Sequence, residues 1–242
     1  QADRLKSHVF SLPNSPPVSE PLPASGADPN GATPRENHTF QSKNMVLQSN
    51  PKTVSYLMET SNYCTLAQHL PKDNLHKIYH DTEYGFNCSS DNQLFEKLVL
   101  EIQQAGLSWS IILAKQENLK KAYSNFKIDI ISKYNKHDIK LLLENKNVIR
   151  NTLKIQAVIY NAKQILKIQR KHISFKNWLD KHLHLTLIEW TKLFKKTFKF
   201  TGPKITKEFL MSSGYLAGAH NKNCEVYNLI IKDNPPWLYN LK

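Results

Sequence analysis

Apolar residues recur at helical spacing along most of the chain beyond residue 90, whereas the alternation typical of strands is scarce. Two stretches show the helical spacing most regularly: Leu94, Phe95, Leu98, Val99, Ile102 and Ala105, and then Ile155, Val158, Ile159, Ala162, Ile165 and Leu166. The pattern therefore predicts an all-α fold, and no internal repeat is present.

The ends of these helices carry recognisable signals. Ser89, Ser90 and Asp91 are candidate N-caps for the first strong helix, which is expected to break at Gly106. Asp138 is predicted to cap a later helix. Further helical pieces are expected at 111–113, 178–183 and 205–211, with breaks at 145–147 and 198–203.

The first 58 residues differ from the rest in composition. They hold eight of the twelve prolines, are rich in serine, asparagine and glycine, and show no apolar periodicity. Such a segment buries too little apolar surface to offset the entropy of ordering. We predict a disordered leader, tag or linker over 1–58, one globular domain over 59–227 and a C-terminal tail over 228–242.

Composition narrows the class of protein. No apolar run approaches the length that spans a bilayer. The three cysteines argue against a disulfide framework and for a reducing compartment, so a cytoplasmic location is expected.

The net charge of +13 comes wholly from residues 61–242, because the first 60 residues hold five basic and five acidic side chains. Such a basic domain suggests a polyanionic partner such as nucleic acid. A surface that is simply rich in lysine is the alternative.

A metal site is one candidate for chemistry. His220 and Cys224 are four residues apart, which is half of a common zinc-ligand spacing, although exposed His and Cys are frequent. Cys64 and His80 could complete a tetrahedral set, with Cys88 as a rival for Cys64 or a small apolar filler. Four protein ligands leave no open position, so such a zinc would be structural.

A carboxylate on the first strong helix and an indole eight residues further on are a second candidate. Glu101 lies at the edge of the apolar stripe, where periodicity favours a solvated side chain paired with Lys97. The alternative is a carboxylate at the mouth of a pocket. Trp109 lies nearer the apolar face, where a core residue is commoner than a stacking platform.

The turn over 147–151 is a third candidate. Exposed backbone N–H groups there, with Arg150 and Lys154 beside them, could hold a phosphate. Asn147 suits a left-handed turn position better than most residues other than glycine. An ordinary helical hairpin explains the same spacing.

The stretch Tyr79–Gly85 packs two phenols, one imidazole and two carboxylates into seven residues. A solvated turn, a metal site and a substrate pocket are all compatible with this composition. On an extended or turning backbone, neighbouring side chains could face two different sites.

Taken together, these stretches resemble the constitutive, zinc-containing bacterial 3-methyladenine DNA glycosylases. The matching segments are YHDTEYG at 79–85, LFEKLVLEIQQAGLSW at 94–109, IRNTLKIQAVIYNA at 149–162, FKFTG at 198–202 and HNKNC at 220–224. They follow the family order and cover most of residues 64–224.

The resemblance implies the helix-hairpin-helix glycosylase fold, with a structural zinc that ties the N- and C-terminal segments together. It places the zinc ligands at four positions: Cys64, His80, His220 and Cys224. It places base-pocket residues at Tyr79, Tyr84, Glu101 and Trp109. Tyr84 stands where many members carry tryptophan, and Asn147 stands where a glycine is usual.

The resemblance also implies an activity, which is hydrolytic removal of N3-methyladenine from alkylated double-stranded DNA without strand cleavage. Glu101 and Tyr79 would act on the base, and Asn147, Arg150, Lys154 and Lys204 would contact DNA. A monomer is expected. The alternatives are a same-fold glycosylase with a shifted base preference, suggested by Tyr84, and a non-enzymatic zinc-stapled DNA-binding module.

Overall fold

The computed structural model describes residues 63–241, and every regular element in that range is helical. The predicted all-α class is therefore confirmed for the described residues. The segment 1–58, predicted to be a leader or linker, lies outside them. None of the helices in the described range is long and apolar enough to cross a bilayer.

Eleven α-helices and two short 3-10 segments follow one another along residues 63–241. The α-helices are α1 (Tyr63–Gln68), α2 (Leu75–Thr82), α3 (Asp91–Gln104), α4 (Trp109–Ala122), α5 (Ile128–Ile131), α6 (Lys136–Glu144), α7 (Thr152–His172), α8 (Phe175–Asp180), α9 (Leu187–Thr197), α10 (Pro203–Ser212) and α11 (Tyr227–Lys232). The 3-10 segments are Ser124–Phe126 and Pro236–Leu241.

Local signals set several helix ends as expected. Ser90 caps α3 by accepting a hydrogen bond from the Gln93 N–H, and α3 ends just before Gly106, which has a φ of 77°. Pro203 begins α10 at the first helical position, where its missing N–H costs no helical hydrogen bond. The predicted cap at Asp138 is wrong: Asn135 caps α6, and Asp138 supplies the reciprocal bond of a capping box.

One continuous apolar core lies between α3, α4, α7, α8, α9 and α10. The stripe predicted on α3 is buried in it, and Leu94, Phe95 and Leu98 are fully covered. Cys88 is also buried there as a small filler, as one of the two interpretations predicted. α10 packs against α3, so the chain near residue 205 covers the helix that carries Glu101.

A smaller apolar cluster surrounds Cys64 and Cys224 and includes Val226 and Ile230. The predicted domain ends at Tyr227, and α11 begins at that residue. Residues beyond it also make contacts: Asp233 accepts a hydrogen bond from the Asn87 N–H, and the Trp237 N–H donates to the Gly214 carbonyl.

Candidate functional site

The seven-residue stretch that opens on Tyr79 is mainly helical rather than extended. Tyr79, His80, Asp81 and Thr82 form the last turn of α2, which corrects the expected extended or turning backbone. Successive side chains on a helix diverge by about 100°. Tyr79 and His80 can therefore still face different sites, and both are buried.

A cavity of about 290 Å³ lies beside Tyr79. It is walled by aromatic rings and carries two carboxylates and one ammonium group. Its lining residues are Tyr63, Tyr79, Tyr84, Glu101, Gln104, Leu107, Ser108, Trp109, Ser110, Lys204 and Glu208. All four residues that the family resemblance placed in a base pocket are therefore brought together in one cavity.

The aromatic walls contact one another edge to face or at a tilt. The Tyr79 and Trp109 ring centroids are 5.0 Å apart, and those of Tyr79 and Tyr84 are 5.8 Å apart. The Tyr63 ring meets Tyr84 at 5.4 Å with its plane at 86°. Mutual packing holds the rings in fixed orientations, and a planar ligand could lie against their faces.

Glu101 is buried with only 5% of its surface exposed, so the expectation of a solvated glutamate paired with Lys97 is wrong. Lys97 instead donates a hydrogen bond to the Glu83 carbonyl over 2.8 Å. Within residues 63–241 no donor is hydrogen-bonded to the Glu101 carboxylate. Both oxygens are therefore available to a ligand that enters the cavity.

Burial, with a smaller contribution from the nearby Glu208 carboxylate, raises the pKa of Glu101 to about 8, against the opposing effects of Lys97 and Lys204. Burial likewise raises the pKa of the Tyr79 and Tyr84 phenols well above the usual value. The cavity therefore resists an unpaired negative charge, and a cation inside it would favour ionised Glu101.

A second cluster lies next to the cavity. The ligand atoms of Cys64, His80, His220 and Cys224 lie within 4.8 Å of one another, and all four residues are buried. The His220 Nδ1 is 3.8 Å from the Cys64 Sγ and 3.6 Å from the Cys224 Sγ. A tetrahedral ion bonded at about 2.3 Å to sulfur and about 2.1 Å to nitrogen separates such atoms by about 3.6 Å.

The other ring nitrogens of both histidines have acceptors. The His80 Nδ1 lies 2.7 Å from an Asp81 carboxylate oxygen, and the His220 Nε2 donates to the Tyr84 carbonyl over 2.7 Å. These partners favour the tautomers in which the His80 Nε2 and the His220 Nδ1 carry no proton. The lone pairs of these two nitrogens then point at the cysteine sulfurs. The four residues therefore fit a bound metal ion in spacing, burial and tautomer.

Burial lowers the pKa of His220 to about 4, so its ring is neutral at physiological pH. Burial also raises the pKa of the Cys64 thiol to about 11. A buried pair of thiolates is therefore costly without a cation between them, and a metal ion would supply that charge.

Gly85 lies against this cluster. Its φ is 82°, and a Cβ added there would lie 2.7 Å from the Ala219 Cβ and 3.3 Å from the His220 ring. A side chain at this position would require Ala219 to move and would crowd the His220 ring, which belongs to the cluster.

The turn before α7 differs from expectation. The φ of Asn147 is not positive, so the predicted left-handed conformation is wrong, and its N–H donates to the Asn145 side chain. Arg150 is exposed beside it. Lys154 is buried, and its ammonium donates to the Gln103 and Ala105 carbonyls over 2.8 and 2.7 Å. The expected phosphate contact of Lys154 is therefore corrected to an internal one.

Six residues of the cavity lining were absent from the sequence prediction: Tyr63, Gln104, Leu107, Ser108, Ser110 and Glu208. One signal could have found Tyr63, since it directly precedes the candidate ligand Cys64 just as Tyr79 precedes His80. No local signal marks Glu208, which enters the cavity from α10 only because that helix packs against α3.

Comparison with known proteins agrees with this geometry. The family model described as methyladenine glycosylase matches residues 69–190, half of the 242-residue chain. DNA-3-methyladenine glycosylase 1 of Escherichia coli K12 is 31% identical over 175 residues, which cover 64% of this chain and 93% of the relative. The Haemophilus influenzae DNA-3-methyladenine glycosylase is 37% identical over 101 residues, with 42% of this chain and 55% of the relative covered.

Solved structures show the same likeness. A crystal structure of a 3-methyladenine DNA glycosylase I superposes with a TM-score of 0.59 at 31% identity and covers 65% of this chain and 96% of that one. The Staphylococcus aureus enzyme, whose structure concerns the recognition of 3-methyladenine, gives a TM-score of 0.60 at 28% identity. There the match covers 64% of this chain and 93% of the other.

Proposed function

This chain belongs to the methyladenine glycosylase family, and from that premise we propose that it is a monofunctional DNA glycosylase. It removes N3-methyladenine from alkylated double-stranded DNA by hydrolysis of the N-glycosidic bond, which starts base excision repair. The observation that carries this proposal is the aromatic cavity with the buried carboxylate of Glu101 on its wall.

The substrate's chemistry explains why this cavity suffices. Methylation at N3 gives the adenine a positive charge and makes it a good leaving group. Extrusion of the nucleotide from the duplex costs a few kcal/mol of unstacking. The rings of Tyr79, Tyr84 and Trp109 offer π density, which favours a cationic ring.

Glu101 is the catalytic residue best placed to act on the base. Its carboxylate accepts hydrogen bonds from the exocyclic amine edge and stabilises positive charge on the ring. Tyr79 packs beside it and clamps the base. Water then takes the place of the departing base, and no lysine adduct forms, so the product is an abasic site in an intact strand.

We further propose that Cys64, His80, His220 and Cys224 hold one structural zinc ion. Two thiolates and two imidazoles are a set that zinc favours, and four protein ligands leave no position for a substrate. Bound zinc supplies the positive charge that keeps both thiols ionised, and it ties the N-terminal segment to the C-terminal one.

The DNA backbone is proposed to contact exposed basic and polar residues near the cavity and in the turn before α7. Arg150 and Asn147 lie exposed in the turn before α7, and Lys204 lies exposed at the cavity. The expected monomer stays a prediction. A cytoplasmic location and the domain limits at 59 and 227 stay predictions.

Chromatography of the bases released from methylated DNA tests the proposed activity. We expect 3-methyladenine to dominate, and Glu101→Gln to reduce its release by about 10²-fold or more, since it removes the charge that meets the base. Glu144→Gln, on the exposed face of α6, is the matched control and should keep full activity.

Two results would overturn the proposal. Release dominated by neutral bases or by 3-methylguanine would favour the same-fold enzyme with a shifted preference, which the smaller ring at Tyr84 suggests. Equal loss of base release and of non-specific DNA binding in Glu101→Gln would favour a DNA-binding module without catalysis.

A further inference from the structure

The cavity contains a second carboxylate that the proposed chemistry does not use. Glu208 lies on α10, which packs against the helix that carries Glu101, and it is half-buried in the cavity lining. Carboxylates rarely share a cavity because each disfavours ionisation of the other. The position of Glu208 in this cavity therefore suggests a function that offsets this cost.

Glu208 is connected to an aromatic wall. The Tyr84 hydroxyl donates a hydrogen bond to its Oε2 over 3.4 Å. The Tyr84 ring also contacts Tyr79 at 5.8 Å and Tyr63 at 5.4 Å. A phenol that donates to a carboxylate holds its ring in one orientation and carries more electron density on its face.

The charged groups lining the cavity are Glu101, Glu208 and Lys204. A cation in the cavity favours ionised Glu101, and the three groups then carry one net negative charge that a base with a single positive charge neutralises. A neutral base leaves the buried Glu101 protonated, and the charges of Glu208 and Lys204 then cancel. Without Glu208, the complex with a cationic base would keep one unbalanced positive charge.

Resting on the proposed function, we infer that Glu208 is a specificity-determining residue. Its carboxylate makes the cavity select positively charged purine bases over neutral ones, and its bond to Tyr84 orients the ring against which the base stacks. The charge effect is the larger of the two, because the bond to Tyr84 is long.

Binding of two free ligands to the full chain tests this inference. The probes are the permanently cationic 3,9-dimethyladeninium and neutral adenine, followed by the fluorescence of Trp109 and the surrounding tyrosines. We expect Glu208→Gln to weaken binding of the cation about tenfold while adenine stays within about twofold. Glu208→Asp keeps the charge and should restore most of the preference.

Two further variants separate charge from position. Tyr84→Phe removes the hydroxyl and leaves the Glu208 carboxylate in place, so binding of both ligands should weaken by a similar, small factor. Glu144→Gln, the same change at an exposed site, should leave both affinities unaltered. Thermal unfolding of each variant identifies any that fails to fold, and Glu208→Asp then decides the question.

Equal weakening of both ligands in Glu208→Gln would show a merely structural role and overturn the inference. Unchanged binding of both ligands would also overturn it. Base release from methylated DNA by the unmodified chain separates the two proposals. If that chain releases no base, the proposed activity is wrong. If it releases base but Glu208→Gln keeps the preference for the cationic ligand over adenine, only the role of Glu208 is wrong.

Discussion

His220 donates a hydrogen bond from its Nε2 to the carbonyl of Tyr84 over 2.7 Å, while its Nδ1 faces the two cysteine sulfurs. One imidazole thus joins the proposed metal site to a wall of the base cavity. The other two tyrosines of the cavity adjoin members of the Cys64, His80, His220 and Cys224 cluster along the chain, since Tyr63 precedes Cys64 and Tyr79 precedes His80. All three phenolic walls are therefore anchored beside the proposed metal site.

Loss of the metal should consequently affect both the fold and the cavity. Purified protein should contain about one zinc per chain, measured by elemental analysis. Cys224→Ser should lose the metal and lower the unfolding temperature by about 6–12 °C, the shift for about 3 kcal/mol in a domain of this size. Cys88→Ser, which alters a buried thiol outside the cluster, is the control for metal content. Zinc retained in Cys224→Ser would disprove the ligand set.

The pKa of Glu101 makes a prediction about stability and pH. Burial and Glu208 raise the pKa to about 8, against the partial compensation of Lys97 and Lys204. Between about pH 4.5 and 8 Glu101 is ionised in the unfolded chain and protonated in the folded chain. The contribution of Glu101 to the free energy of unfolding therefore falls as pH rises. Above about pH 8 Glu101 is ionised in both states, and the destabilisation by the buried charge no longer changes with pH.

Glu101→Gln should therefore be more stable than the unmodified chain at pH 9, and this advantage should vanish near pH 4.5. Denaturant unfolding at several pH values measures it. A stability difference that does not vary with pH would show that Glu101 ionises as easily in the folded chain as in the unfolded one.

Gly85→Ala should destabilise the protein by about 2 kcal/mol or more, because the added methyl group meets Ala219 and the backbone is left-handed. Gly106→Ala is the matched control, since Gly106 has a similar φ of 77° but nothing within 4 Å of the added atom. That variant should lose only about 1 kcal/mol from backbone strain. Equal losses in the two variants would show that the contact with Ala219 and His220 is unimportant.

Arg150 and Lys154, which lie near the turn before α7, should differ in their effect on DNA binding. Arg150→Ala should weaken DNA binding and reduce the slope of log affinity against log salt concentration by about 1, because it removes one phosphate contact. Lys154→Met should leave that slope unchanged and lower thermal stability, because the Lys154 ammonium holds two carbonyls at the end of α3. Fluorescence anisotropy across a salt series distinguishes these outcomes. A lower slope in Lys154→Met would show that Lys154 contacts a DNA phosphate.

Much of the helical framework follows from the sequence, because its signals are local. The apolar stripe from Leu94 to Ala105 needs only 3.6-residue periodicity, and the cap at Ser90 needs only its neighbours. The residue types Cys64, His80, His220 and Cys224 suggested a ligand set by chemistry, and family resemblance selected Cys64 over Cys88. The structure brings those four side chains together.

Tertiary structure alone decided which polar groups became buried. Periodicity places Glu101 at the edge of its apolar face, but only the packing of α10 against α3 encloses it and adds Glu208 to the same cavity. Lys154 was predicted to be a surface cation, but its ammonium donates hydrogen bonds to two carbonyls at the end of α3. Local patterns determine which face of a helix is apolar, whereas the cost of burying a charge depends on partners that lie 50 or 100 residues away along the chain.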